Sequence, residues 1–244
     1  MMALAAPFLL LCLAAHGMAK SDSEEQPMVN LTVFYDPYDY KSLAFFREQL
    51  KPAYEKLWEN VLVELVPYGR AQTREATADE PLSFVCSEGT GNCMENIIHS
   101  CAISLIPSTE DLLMFVICLL WPRISEGYEN TVRECARDIP GMDLQDILDC
   151  SSSSQGQMFL QQMGARMAEM DAPVTELPSV ALDGKMVKTQ FHLWRSLKTE
   201  VCGHFKHKVP QQCKYFSMQR LLGRKWSSQT RKPGIRSILD DSCR

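Results

Sequence analysis

The chain has 244 residues, 45% hydrophobic content, a formal net charge of −5 and ten cysteines. That length supports one ordinary domain with a sizeable core, or one domain carrying a large insertion. Its basic residues fall on no recognisable motif, which excludes the familiar nucleic-acid-binding modules.

Residues 1–19 read as a secretory signal peptide. Residues 3–15 form a short apolar run, followed by small residues at Ala15, Gly17 and Ala19, although the usual basic start is missing. Neither this run nor Leu112–Trp121 reaches the roughly 20 apolar residues a membrane span needs, so no transmembrane segment is expected. Residues 20–28 are a polar leader to the folded part. Removal of the signal takes Cys12 and leaves Cys86, Cys93, Cys101, Cys118, Cys135, Cys150, Cys202, Cys213 and Cys243. An oxidising compartment predicts a disulfide framework with one thiol left over. The sequon Asn30-Leu31-Thr32 would be glycosylated there. Charge is uneven: Lys206 to the C-terminus carries ten Lys/Arg and two Asp, so the preceding chain holds −13 against a tail of +8. Such a tail is solvated, docked on the acidic body of its own chain, or engaged with an anionic partner.

Leu31, Val33 and Tyr35 alternate with Thr32 and Phe34 in a run that predicts a mostly buried strand ended by Pro37. Asp39 is a good N-cap type, and Leu43, Phe46, Leu50, Tyr54 and Leu57 continue at near-helical spacing, with a kink expected at Pro52. Val61–Val66 is a second strand, closed by Pro67-Tyr68-Gly69. Residues 29–69 thus form a βαβ unit with a parallel strand pair. Residues 70–172 read as a helical insertion stapled by disulfides, with helices at Cys93–Leu105, Leu112–Trp121, Glu129–Ala136, Leu144–Cys150 and Gln157–Met170 and a Ser-rich linker at Ser151–Ser154. Residues 173–213 return to a strand at Pro178–Leu182, a primed turn at Asp183-Gly184, a return strand at Lys185–Val187 and a closing helix Thr189–Cys202, with Phe191, Trp194, Leu197 and Val201 facing inward. Residues 214–244 are the basic tail. This element order predicts an α/β, thioredoxin-like fold with a disulfide-rich helical insertion.

The segment Cys86–Cys101 follows the spacing Cys-x2-Gly-x3-Cys-x2-Asn-x4-Cys, with Cys86, Gly89, Cys93, Asn96 and Cys101 at the fixed positions. It resembles the signature of the gamma-interferon-inducible lysosomal thiol reductase (GILT) family, departing from it at Ser87, Glu88 and Asn92. The likeness extends over Val29–Thr32, Leu65–Gly69, Pro178 ahead of Val180–Lys185, and the Cys202 and Cys213 pair, roughly residues 29–213. The resemblance implies a thioredoxin-like fold, reduction of protein disulfides at acid pH, and a cis-proline at Pro178 facing the active site.

Where family enzymes carry Cys-x-x-Cys, this chain has Asp39-Tyr40-Lys41-Ser42. The chemistry needs one thiolate to attack a disulfide and a second thiol to resolve the mixed intermediate. Asp39 suits a helix N-terminus electrostatically but cannot exchange with a disulfide, and Ser42 cannot resolve one. No other Cys-x-x-Cys occurs in the chain. The expectation is a member with vacated catalytic positions, no catalytic residues and no cofactor, which binds a protein partner on a surface of Tyr38, Asp39, Tyr40, Lys41, Ser42 and Pro178. The alternatives are a single-cysteine oxidoreductase or isomerase, with Cys243 as its thiol, and a binder of anionic glycan or membrane through the tail. Cys243 could also form a disulfide-linked dimer.

Three rival constellations occur in the sequence. Cys202, His204, His207 and Cys213 could ligate zinc, but a Cys202–Cys213 disulfide is the default in an oxidising compartment, so no metal is expected. Asp36 and Asp39 could suggest acid–base chemistry, yet a turn carboxylate and an N-cap explain them. His99 is expected on a helix surface. The protein is expected to be secreted, with the lysosome lumen as the alternative.

Overall fold

The computed structural model describes residues 27–86, 93–121, 127–137, 139, 143–187 and 190–214. The signal peptide, Gly89, the tail beyond Lys214 and Cys243 lie outside the described residues, as do the side chains of Phe191 and Trp194.

The first strand, β1 (Val29–Phe34), leads into α1 (Tyr40–Phe45), a π-helical turn (Phe46–Leu50), α2 (Lys51–Leu57) and β2 (Val61–Val66). The kink expected at Pro52 takes the form of that π-turn. Proline has no N–H to donate and its ring would strike the carbonyl four residues back. The Lys51 N–H instead reaches back to the Phe46 carbonyl, and Pro52 enters in the first turn of α2, where a missing donor costs nothing.

A small hairpin follows, β3 (Gln72–Arg74) with β4 (Ser83–Val85), an addition to the elements expected from the sequence. Then come α3 (Met94–Leu105), α4 (Thr109–Leu119), α5 (Gly127–Ala136), α6 (Leu144–Ser151) and α7 (Ser154–Ala168). Disulfides join α3 to α6 through Cys101–Cys150 and α4 to α5 through Cys118–Cys135, and Cys86–Cys93 closes the segment before α3. The expected Ser-rich linker is instead a tight corner. Ser151 ends α6, and the Ser153 hydroxyl caps α7 by accepting from the Gln155 N–H. Gly156 allows this corner, because a Cβ there would lie 2.6 Å from the Cys150 carbonyl oxygen and 2.7 Å from an Ile97 methyl.

β5 (Ser179–Leu182), β6 (Lys185–Met186) and α8 (Gln190–His204) complete the chain. Asp183 and Gly184 make the expected primed turn, both with positive φ, 47° and 74°. The sheet order is β2-β1-β5-β6, with β1 parallel to β2 and antiparallel to β5. Leu31 and Val33 on β1 share the main core with Phe45, Leu50, Leu57, Leu197 and Val201. Phe34, on the opposite face by the period-two rule, joins Val66, Leu177 and Ala181 beneath Met163 and Met167 of α7. α8 breaks at Ser196 (φ −173°, ψ 88°), and the Leu197 N–H freed there donates to Gln49 Oε1 at 3.0 Å. This is an α/β, thioredoxin-like fold. No helix among the described residues is long and apolar enough to cross a membrane.

Candidate functional site

The site is built where β1 runs out. Beyond Phe34 the chain turns through Pro37 and Tyr38 and starts α1 at Asp39, whose Oδ1 accepts the Lys41 N–H at 2.9 Å. Ser42, one turn into the helix, is fully buried, and its hydroxyl accepts the Asp36 N–H at 3.3 Å. Asp36 is also buried. Its carboxylate accepts from the Tyr38 N–H at 3.0 Å and lies 3.8 Å from the Arg70 guanidinium, which reaches Asp39 at 3.9 Å. Burial raises the Asp36 pKa, and the hydrogen bonds and charge supplied by Tyr38 and Arg70 oppose that rise. The explanation of both aspartates as turn and cap residues fits this geometry, but the burial of Asp36 and its pairing with Arg70 have no counterpart in the local pattern.

Arg70 is delivered by the turn after β2. Asn96 on α3 donates through Nδ2 to the carbonyls of Pro67 (2.8 Å) and Tyr68 (3.3 Å), tying that turn to the insertion. Gly69 follows with φ 63°, and a Cβ there would sit 2.7 Å from Asp36 Cγ. Only glycine lets the turn close over the carboxylate without strain.

Across from α1, the Leu177–Pro178 peptide bond is cis. Tyr40, Lys41, Arg70, Glu176, Leu177 and Pro178 line a groove of about 510 Å³ between the helix start and the strand entry. Of the surface expected from the sequence, Tyr40, Lys41 and Pro178 line this groove. Asp39 lies mostly covered beneath Arg70. Ser42 is not a surface residue: the first turn of α1 points it inward, where it supports Asp36.

Tyr38 turns to the opposite flank. Its hydroxyl is buried without an ordinary hydrogen bond and interacts electrostatically with Tyr128 of α5. Glu95 beside them is pushed up to about 7, chiefly by burial; the Tyr128 hydroxyl opposes the rise and the Asp36 charge adds to it. Neither Glu95 nor Tyr128 stood out in the sequence, because tertiary packing alone brings α3 and α5 to the first turn.

His99 corrects an expectation. It is buried, not on a helix surface, and its Nδ1 pairs with the Tyr35 hydroxyl at 2.9 Å. Burial drives its pKa down to about 3, so the imidazole is neutral. The other candidates are scattered. Asn30 is exposed at the start of β1, with Thr32 of its sequon buried and donating to Glu64 at 2.7 Å. Cys202 and Cys213 are bonded to each other, so neither is a metal ligand. Among the described residues no cluster of three or more His, Cys, Asp or Glu could hold a metal ion. Around the groove the described residues offer carboxylates, a guanidinium, an ammonium and phenols, but no thiol.

The family model "Gamma interferon inducible lysosomal thiol reductase (GILT)" matches residues 30–139. The chain is 31% identical over 166 residues to a gamma-interferon-inducible lysosomal thiol reductase-like protein of Anopheles gambiae, covering 64% of this chain and 68% of that one. It is 21% identical over 163 residues to the gamma-interferon-inducible lysosomal thiol reductase of Mus musculus, covering 66% and 63%. Among solved structures, oxidised Mtb DsbA superposes with a TM-score of 0.51 at 15% identity, covering 81% of this chain and 92% of that chain, a likeness of fold. The chain belongs to the gamma interferon inducible lysosomal thiol reductase family.

Proposed function

We propose that the protein is a lumenal member of this family that has no dithiol reductase activity and instead binds a protein partner in the groove between α1 and Pro178. One observation carries the reading: at Asp39 and Ser42, where family enzymes place the exchanging thiols, the Asp39 Oδ1 accepts the Lys41 N–H and the Ser42 hydroxyl accepts the Asp36 N–H. A thiolate is the attacking species in every thiol–disulfide exchange, and neither a carboxylate nor a hydroxyl replaces it. Tyr40, 74% exposed, supports recognition, since a large amphipathic ring gives contact area at low entropic cost. The partner's extended chain lies along the groove, with Lys41 and Glu176 available to its polar groups.

The protein enters the secretory pathway through residues 1–19 and carries a glycan on Asn30. The lysosomal names of its relatives support the lysosome lumen over release from the cell. A single-cysteine oxidoreductase remains the second reading, favoured by one fact. Four disulfides use eight of the nine cysteines left after the signal peptide, so Cys243 is the cysteine available.

Insulin reduction between pH 4.5 and 7 tests the main reading. The native protein is expected to show no turnover, whereas the double variant Asp39→Cys/Ser42→Cys gains activity on the same scaffold. Turnover by the native protein overturns the proposal, and its loss in Cys243→Ser would assign it to the second reading.

A further inference from the structure

A second groove, sharing no lining residue with the first, runs between α2 and α4. Tyr54 and Trp58 of α2 line one side and Leu113 and Met114 of α4 the other, around a volume of about 350 Å³. Leu113 is buried in the main core, whereas Trp58 is 59% and Met114 48% exposed. The pattern of α4 explains the second of these. Leu112, Leu113, Phe115 and Val116 already fill its inward face, which leaves Met114 outside. An indole and a thioether held side by side in water are apolar surface that a ligand gains by covering.

Charged residues complete the lining. Lys51 and Glu55 form an ion pair one helical turn apart, and Glu110 pairs with no cation among the described residues, so the charge left over is negative. An occupant must therefore bring apolar side chains together with positive charge. The chain itself does so past Lys214. Residues 221–226 carry Leu221, Leu222 and Trp226 around Arg224 and Lys225, with no acidic residue. A later apolar cluster, Ile235, Ile238 and Leu239, runs into Asp240 and Asp241, which Glu110 would repel. Tyr215 and Phe216 lie too near the anchor, since two residues span only about 7 Å.

We infer that residues 221–226 of this same chain dock in the groove between α2 and α4, with Leu222 and Trp226 against Trp58 and Met114 and with Arg224 and Lys225 toward Glu110 and Glu55. The described chain ends in the right place for this. Cys213 is bonded to Cys202 near the end of α8, and Lys198, one turn earlier on that helix, lies within electrostatic reach of Lys56 on α2. The tail therefore leaves the fold beside α2. Residues 215–220 span up to about 20 Å when extended, enough to cross a helix about 10 Å wide and enter the groove on its other side. A segment joined by so short a linker is present at an effective concentration on the order of millimolar, which favours it over an untethered ligand of the same chemistry.

The test is zero-length carbodiimide coupling of carboxylates to lysines in the intact mature protein, read by peptide mass spectrometry. An equal mixture of isotopically light and heavy protein separates links within one chain from links between two. Lys225 should couple to Glu110 or Glu55 within one chain at least about tenfold more often than Lys232, which lies beyond the docked segment. Two variants separate docking from general attraction between a basic tail and an acidic body. Trp58→Ser/Met114→Ser keeps every carboxylate, and Leu221→Ser/Leu222→Ser/Trp226→Ser keeps every lysine; each should lower the Lys225 yield at least about fivefold. Trp58 and Met114 are exposed, so the thermal midpoint of the first variant should match that of the native protein. A smaller preference for Lys225 over Lys232, or a smaller drop in either variant, overturns the inference, because charge alone would then account for the links. Links found only between light and heavy chains overturn it too and assign the groove to a second copy.

Discussion

Replacing His99 by Asn separates the cost of a buried neutral imidazole from everything else in the fold. Asn places a polar atom near the position of Nδ1, so the contact with the Tyr35 hydroxyl is kept while the titration is removed. In the folded chain the imidazole accepts a proton only at about pH 3, whereas in the unfolded chain it does so near its ordinary 6.5. Below pH 6.5 the unfolded chain therefore binds the extra proton, and stability present at neutral pH is lost as the pH falls. Between pH 7 and 4.5 the loss from this one group is about 2.5 kcal/mol. Urea denaturation with disulfides intact measures it. His99→Asn should be less stable than the native protein at pH 7 because a smaller side chain leaves a void, and that deficit should shrink by about 2.5 kcal/mol, or reverse, at pH 4.5. A constant gap between the two proteins at both pH values would refute the argument, because it would mean that His99 titrates alike in the folded and unfolded states.

Glu95 works in the opposite sense. Its folded pKa of about 7 lies above the ordinary 4.5, so its contribution is fully present below pH 4.5 and is lost as pH rises through 7. Glu95→Gln is expected to raise the thermal midpoint at pH 8 relative to the native protein and to leave it unchanged at pH 4.5; differential scanning calorimetry checks both. Alkylation of the denatured, unreduced mature protein should label one cysteine, Cys243, by peptide mass spectrometry. Labelling of Cys86 or Cys93 would contradict the disulfide framework. A band of twice the monomer mass, present only without reductant and absent in Cys243→Ser, would show that the same cysteine links two copies.

Much of the fold was legible because its signals are local. The alternation along Leu31–Tyr35, the Asp39 cap and the Asp183-Gly184 turn each depend on residues within a few positions of one another. The helices of the insertion showed themselves by their apolar spacing, although their ends shifted by a few residues. β3 and β4 are too short for any alternation to register, and their pairing is a contact between Gln72–Arg74 and Ser83–Val85 that no local pattern encodes. The serines between α6 and α7 looked like linker by composition, yet the Cys101–Cys150 bond and Gly156 draw those helices into a corner. The burial of His99 departs from expectation for a related reason: a lone polar residue on a helix reads as exposed unless its partner is known, and Tyr35 is 64 residues away.

At the site the division is sharp. Composition alone decided that the turn after β1 holds no thiol, because Asp39-Tyr40-Lys41-Ser42 contains none, and exchange chemistry follows the element at the position. What those residues do instead was decided by tertiary structure. Only the approach of the Gly69 turn, held by Asn96, places Arg70 against Asp36 and Asp39. Only the inward face of α1 buries Ser42, and only the return of the chain at Pro178 makes a groove of Tyr40 and Lys41. Burial and long-range charge depend on which distant segments meet, and that is a property of the packed chain.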